Sequence, residues 1–324
     1  MDFVEVTNWL LEGPTWLRYR LHLDLLGRDP GETEMVDLRL QVAGDPQVEG
    51  LLVELSAWPG AALTSHKSAS SLMHKLNFIA DLGLQRGDPG IDALLERVLA
   101  HQSVQGPFQV LLNVPKHFGG SGQDEWAWML CDAPNLVYAL ARLGLAGDSR
   151  VGRAVEALIG VVQQTGWPCV VSPEMGKFHG PGRAADPCPY ASLVTLKALS
   201  AIPGMRQSPA VQIGVEAILS LWADRRQRHP YLFHMGIDFC KLKAPLVWYD
   251  IVHLLDVLAQ FEVARADPRL VEIAGIVMEK ADGQGRYTSE SVWTSWKDWE
   301  FGQKKQPSRW LTLLVIRALG RMGM

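Results

Sequence analysis

Asp132, Asp186, Tyr190, Asp250 and His253 are the side chains of this sequence best placed to move protons, and each stands at the start of a leucine-rich, helix-patterned segment. A carboxyl group buried among Trp and Tyr rings keeps its proton, because desolvation penalises the charged form. It can then deliver that proton near neutral pH. Trp128, Trp248 and Trp310 occupy the same kind of position, where their faces would stabilise positive charge developing on a substrate. Asp186 and Cys188, with His253 or Asp250, offer oxygen, sulfur and nitrogen donors for a zinc ion with a fourth position open. The same Asp-x-Cys also reads as a helix cap beside a small buried thiol. Arg183, Lys241, Lys243, Lys304, Lys305 and Arg309 could hold a diphosphate or carboxylate, helped by the partial positive charge of helix N-termini. Lys304-Lys305 reads equally well as a solvated loop.

These residues need a scaffold that brings them together, and the sequence supplies one as a beat. A leucine-rich helix pattern closes about every 60 residues, at Leu26, Leu82, Leu143, Leu199, Leu258 and Leu319. Charged turns follow, such as Arg86-Gly87-Asp88-Pro89 and Arg265-Ala266-Asp267-Pro268, and then second helices, as in Ile91 to Leu99 and Leu270 to Met278. Those end in Gly/aromatic turns such as Gly106-Pro107-Phe108 and Gly166-Trp167-Pro168. A hairpin repeat that cannot bury its apolar face alone must stack. The first helices are apolar over a wide arc, as an inner layer requires, whereas the second helices carry Arg153, Glu156, Glu216 and Glu272. The expected fold is therefore all-α, a single-domain α/α toroid spanning 1–324 with six inner and about five to six outer helices, the segment Phe3 to Glu12 closing the ring.

The long connections, roughly 106–133, 166–190, 229–246 and 284–308, lie on one face and hold all four cysteines. Read around the ring, the residues before each inner helix are Trp16 and Arg20; His66, Lys67 and His74; Cys131, Asp132 and Asn135; Asp186, Cys188 and Tyr190; Tyr249, Asp250 and His253; and Arg309 and Trp310. Trp58, Trp167 and Trp222 read as fillers between hairpins, and His22 and His101 as structural.

Composition excludes several functions. Lys and Arg total 31 against 35 Asp and Glu, with no block of one sign, so the footprint of a nucleic-acid binder is absent. Arg, Lys, Asp or His interrupts every leucine-rich stretch, as in Trp310 to Arg317 and Leu246 to Leu258, which argues against a transmembrane span. No basic leader is visible, so a cytoplasmic location is expected. Nucleophile-elbow, P-loop, dinucleotide and His-Glu-x-x-His patterns are missing.

Period and turns together resemble the α/α toroid of squalene and oxidosqualene cyclases and of protein prenyltransferase β subunits. Asp282-Gly283-Gln284-Gly285-Arg286-Tyr287 looks like a degenerate form of their Gln/Asp-Gly/Trp turn. Gly176-Lys177-Phe178-His179-Gly180 followed by Asp186-Pro187-Cys188 is similar to the prenyltransferase stretch whose Asp-x-Cys supplies two zinc ligands. No Asp-x-Asp-Asp or Asp-Asp-x-x-Asp is present, and register on Leu255 and Leu258 puts Asp250, rather than His253, at the family's His position. The resemblance implies an enzyme acting on an isoprenoid-like or other largely apolar, or anionic, organic substrate in a central cavity. Its chemistry would be acid-initiated or diphosphate-assisted carbocation formation, with zinc or no cofactor. A zinc-dependent transferase or hydrolase using Asp186 and Cys188, and a non-catalytic ring gripping a peptide or lipid, stand beside that expectation.

Overall fold

The structure, a computed structural model, describes residues 3–176, 178, 182–183 and 185–324. Its α-helices, in chain order, are α1 (Phe3–Leu11), α2 (Thr15–Asp24), α3 (Thr33–Ala43), α4 (Pro46–Leu55), α5 (Leu72–Leu82), α6 (Ile91–Leu99) and α7 (Ala133–Leu140). They continue with α8 (Ser149–Gly160), α9 (Pro189–Ser200), α10 (Pro209–Ala223), α11 (Ile251–Leu258), α12 (Glu262–Arg265), α13 (Pro268–Met278) and α14 (Arg309–Arg321). A small antiparallel pair, β1 (Val110–Leu112) with β2 (Glu125–Ala127), folds the connection between α6 and α7.

Helix contacts close a ring. The helices α2, α5, α7, α9, α11 and α14 each touch the next, and α14 returns to α2. Every residue of α7, α9 and α11 is buried, as expected of helices packed on both sides. The outer helices bury one stripe only: Val151, Ala154, Val155 and Leu158 on α8, and Ile91, Leu94, Leu95, Val98 and Leu99 on α6. The fold is thus an α/α toroid. Near the join of the ring, α1 packs on α2 and takes contacts from the chain's far end: Arg309 Nε donates to the Trp9 carbonyl at 3.0 Å, and both Arg286 and Arg309 stack over the Trp9 ring. No helix among the described residues is long and apolar enough to cross a membrane.

The repeated sequence features have local reasons. Asp45, Asp148 and Asp267 cap outer helices by accepting from the N–H of Gln47, Arg150 and Arg269 at 3.0, 2.8 and 2.8 Å. Pro46 and Pro268 occupy the first turn, where no N–H is needed. In the aromatic turns, Gly166 has φ +109°, and a Cβ there would lie 2.7 Å from the Ala217 methyl, so only glycine fits. The adjacent Trp167 is fully buried, its indole N–H donating to the Leu158 carbonyl at 2.7 Å. Phe108 and Tyr287 are equally buried in their own turns.

Two fillings shape the ring's interior. At its C-terminal end, the inner helices contribute buried charges. Arg317 bridges Asp24, at 2.9 Å, and Asp256, at 2.8 Å; Arg20 also holds Asp24, and Arg321 also holds Asp256. Lys197 lies 3.5 Å from Asp81 and 4.3 Å over the Tyr138 ring. Burial alone would raise the Asp24 carboxyl, but Arg20 and Arg317 overcome it and hold it below the ordinary range. Arg20 therefore belongs to this ionic floor and not to the mouth. At the other end, Trp296, Trp299 and Phe301 from the last connection pack against Trp16 and Phe78, which also hold Trp310, with ring centroids 4.9 to 6.5 Å apart. This aromatic plug seals the α2–α5–α14 side.

Candidate active site

What remains open is an off-centre cavity of about 790 Å³ beside the starts of α5, α7, α9 and α11. Its walls carry Phe178, Tyr231, Phe233, Phe239, Trp248, Tyr249 and Trp293. The rings buttress one another: Tyr190 lies 4.1 Å from Trp248, Phe233 5.6 Å from Trp248, and Phe239 4.8 Å from Tyr249. Lys67 sits 5.1 Å over the Trp248 ring, and Lys243 pairs with Asp238 at 3.2 Å. The cavity is therefore largely aromatic with a cationic edge.

Its polar corner is built where α5 and α7 begin. His66, in the loop before α5, donates from Nδ1 to Asp132 Oδ1 at 2.7 Å. Asp132 is fully buried immediately before α7, and its Oδ2 has no hydrogen-bond partner among the described residues. Asp132 itself does not line the cavity, whereas His66 does, so the carboxylate acts on the cavity through the imidazole. Burial works against the charged imidazole, yet the Asp132 charge and hydrogen bond outweigh it and raise the His66 pKa. Neighbours fix the geometry. Nε2 of His74 lies 2.8 Å from the His66 carbonyl, which only accepts, so His74 must be the donor; burial lowers its pKa to about 4 and keeps it neutral. Asn77 donates to Asn135 at 3.0 Å, and Asn135 donates to the Cys131 carbonyl at 2.9 Å.

A thiol group adjoins that corner. Cys131, Cys169 and Cys188 all line the cavity. Cys188 stands at the cap position of α9, where its side chain makes no capping hydrogen bond. Its pKa is lowered, chiefly by the neighbouring Cys131 thiol, against the effect of burial. The same contact raises Cys131.

The residues singled out from sequence separate into those at the cavity and those elsewhere. Trp248 and Lys243 line it, and Tyr190 backs Trp248 while its hydroxyl donates to the Val247 carbonyl at 3.0 Å. Asp250 is buried behind Tyr249 and caps α11, Oδ1 accepting from the N–H of Val252 and His253 at 3.1 and 3.0 Å. Burial raises its carboxyl to about 7. His253 is buried, and its Nδ1 bonds to the Trp248 carbonyl at 2.8 Å; Nε2 has no hydrogen-bond partner among the described residues, and burial lowers the pKa of His253 to about 3.

The others, Lys241, Lys304 and Lys305 among them, do not line the cavity. Trp310 is consumed by the aromatic plug, because the last connection folds inward. Arg309 turns outward to Trp9 and Glu12. Trp128 is buried by the β1–β2 connection, its indole donating to Gln105 at 3.3 Å. Arg183 is exposed, and its carbonyl receives the Tyr231 hydroxyl at 3.0 Å.

Asp186 is drawn to the surface by Arg228, at 3.6 Å, away from Cys188, whose neighbour is Cys131. Among the described residues no three His, Cys, Asp or Glu side chains gather as a metal-binding group. The set Asp186, Cys188 and His253 therefore does not fit a zinc ion. Lys177, His179 and Gly180, part of the prenyltransferase-like stretch, lie outside the described residues.

His66 and Cys131 stood in the ring of residues before the inner helices but, like Cys169 and six of the seven wall aromatics, were not singled out as site residues from sequence. His66 and Cys131 nevertheless carried a usable signal: both stand just before inner helices, at the same ring level as Cys188.

No family model matches the chain, and no characterised protein matches it by sequence. Solved structures similar to it include a protein from Actinoplanes, 15% identical with a TM-score of 0.43, covering 99% of this chain and 89% of that one. Another is the type II terpene cyclase MstE from Scytonema, in complex with geranylgeranyl dihydroxybenzoate, 12% identical with a TM-score of 0.44, covering 98% of this chain and 95% of that one. No residue role transfers at such identities.

Proposed function

We propose that this toroid is an enzyme acting on a largely apolar, isoprenoid-like organic substrate held in the aromatic cavity, and that its reaction begins with a proton from His66. One observation carries the reading: the buried Asp132 carboxylate holds, at 2.7 Å, an imidazole that lines an otherwise aromatic cavity. The carboxylate favours the proton-carrying imidazole, and with Nδ1 engaged by Asp132 the proton left to give is the one on Nε2. Such an acid suits an oxygen atom, in an epoxide, carbonyl or ester, better than a bare alkene, whose protonation demands a much stronger acid. Positive charge developing next to that oxygen would meet the faces of Trp248, Tyr249 and Phe233. Lys67 favours a substrate with an anionic end, and diphosphate-assisted ionisation would depend on it together with Lys243, which such a substrate would have to draw from Asp238.

The test is a panel of prenyl alcohols, epoxides, diphosphates and esters incubated with the protein, with products resolved by mass spectrometry. Turnover of an oxygenated apolar substrate, with a raised KM in Trp248→Ala, is expected. Cyclised or rearranged skeletons would mark carbocation chemistry, and diphosphate release as the only reaction would remove His66 as the initiating acid. Saturable binding of these compounds without turnover of any would replace the enzyme by a binding ring.

A further inference from the structure

A second cavity, of about 720 Å³, lies at the C-terminal end of the inner helices, bordered by the ends of α2, α13 and α14 and the start of α1. It shares no residue with the aromatic cavity. Its volume falls within the range of small-molecule sites, about 300 to 1,000 Å³. Ile316 and Leu319 form a buried apolar wall, whereas Phe3, Met278 and Met324 stand at the edge, each nearly half exposed. Covering large apolar side chains gathered at one recess removes apolar surface from water and favours an apolar occupant.

Two polar groups on the same wall have unused donors. Arg321 gives only Nη1 to Asp256, at 3.3 Å to the carbonyl and 3.1 Å to the carboxylate. Its Nε and Nη2 have no hydrogen-bond partner among the described residues, and the side chain is 29% exposed. Tyr287 is fully buried, and its hydroxyl likewise has no hydrogen-bond partner among the described residues. A buried donor without an acceptor is costly, so a ligand that supplies an acceptor is favoured. Charge points the same way. The ionic floor joins three cations, Arg20, Arg317 and Arg321, to two anions, Asp24 and Asp256, and Arg321 is the most exposed of the three arginines. Asp282, the other carboxylate on the wall, is engaged through Oδ1 by the N–H groups of Gln284 and Arg286 at 2.8 and 2.9 Å.

We infer that this second cavity binds an apolar monocarboxylate, its chain along Ile316 and Leu319 and its carboxylate on Arg321. The Nε and Nη2 groups of a guanidinium form a side-on fork that matches the two oxygens of a carboxylate. A neutral alcohol of the same length would fill the apolar part and leave the fork unpaired. The inference does not depend on the reaction proposed for the aromatic cavity.

The experiment titrates the full-length protein with octanoate by isothermal calorimetry, with octanol as the neutral comparison. Gly320→Trp fills the cavity: Gly320 is exposed on its wall, and a Cβ there meets no atom within 4 Å, so the larger side chain is admitted without disturbing the fold. Arg321→Met removes the fork. Each variant should weaken octanoate binding by at least about tenfold, the change expected from losing a hydrogen bond to a charged group or the space for the chain. Octanol should bind at least about tenfold more weakly than octanoate. Trp248→Ala, in the aromatic cavity, should leave octanoate binding at Arg321 unchanged. Failure of the wild-type protein to bind octanoate, or binding that Trp248→Ala removes and Gly320→Trp does not, would overturn the inference. Octanol bound as tightly as octanoate would do the same. So would a dimer, seen by sedimentation, that Gly320→Trp dissociates, because the recess would then belong to a second copy of the chain.

Discussion

Arg317→Met tests the ionic floor, which closes one end of the ring and so defines the cavity at the other. Arg317 Nη1 lies 2.9 Å from Asp24 Oδ2 and Nη2 lies 2.8 Å from Asp256 Oδ1, and all three side chains are about nine-tenths buried or more. Methionine keeps much of the stem's packing and removes the charge. Stripping one partner from a buried ion pair costs about 3 to 5 kcal/mol, and because Arg20 still holds Asp24 and Arg321 still holds Asp256, the low end, about 3 kcal/mol, applies. At about 2 °C per kcal/mol for a chain of this size, Tm should fall by about 6 °C.

The loss should also depend on pH. In the native protein burial pushes both carboxyls up, but the arginines prevail and hold them below their ordinary value. A depressed acid contributes stability that is complete above its unfolded pKa, about 3.9, and lost as pH falls through the native value. In Arg317→Met the native carboxyls rise toward their ordinary value, so that contribution shrinks at pH 7, and the gap between variant and wild type narrows once pH drops below about 4, where the variant's carboxyls take up protons and the wild type's do not. Urea unfolding followed by circular dichroism at pH 7 and about pH 3 measures both quantities. A deficit under about 1 kcal/mol, or one that does not narrow in acid, would refute the argument.

Three further outcomes are expected. Asp250, raised to about 7 by burial, keeps its proton in the folded state over the interval in which the unfolded chain has lost it, so wild-type stability should decline between about pH 4 and pH 7. Asp250→Asn, which can still cap α11, should flatten that decline; an unaltered slope in urea titrations would show that Asp250 is not its source. Leu196→Ala, in the fully buried α9, should cost about 2 to 5 kcal/mol, and Glu216→Ala, on the outer face of α10, under about 1 kcal/mol. Equal losses would mean that the two layers are misassigned. The imidazole of His66, followed by NMR, should titrate above the ordinary histidine value and fall toward or below it in Asp132→Asn, because burial is then opposed only by the weaker influence of Cys188; an unchanged midpoint would sever the pair.

The ring was legible in the sequence because its cause is periodic. Leucines at helical spacing ending at six regular beats determine which helices are buried on both sides, and the Asp and Gly/aromatic turns mark where outer helices begin and end. The interior was not legible, because it is filled by contacts between distant segments. Trp296 and Trp299 reach Phe78, more than two hundred residues away, and so convert an expected central cavity into a lateral one. Arg317 and Asp256 appear in sequence only as polar interruptions of apolar stretches. Their pairing over 61 residues joins neighbouring inner helices, and that of Arg317 with Asp24 over 293 depends on closure of the ring. Asp132 was placed correctly at the start of α7, but the partner that connects it to the cavity, His66, is contributed by the preceding repeat.

The most direct measurement is the steady-state rate of His66→Ala on whichever apolar substrate the wild-type protein turns over. A proton donor acting in the transition state should leave KM nearly unchanged while kcat falls by about 10² to 10⁴. A kcat within about threefold of wild type, in a variant that retains its helical circular dichroism, would contradict the assignment of the His66–Asp132 pair as the catalytic acid.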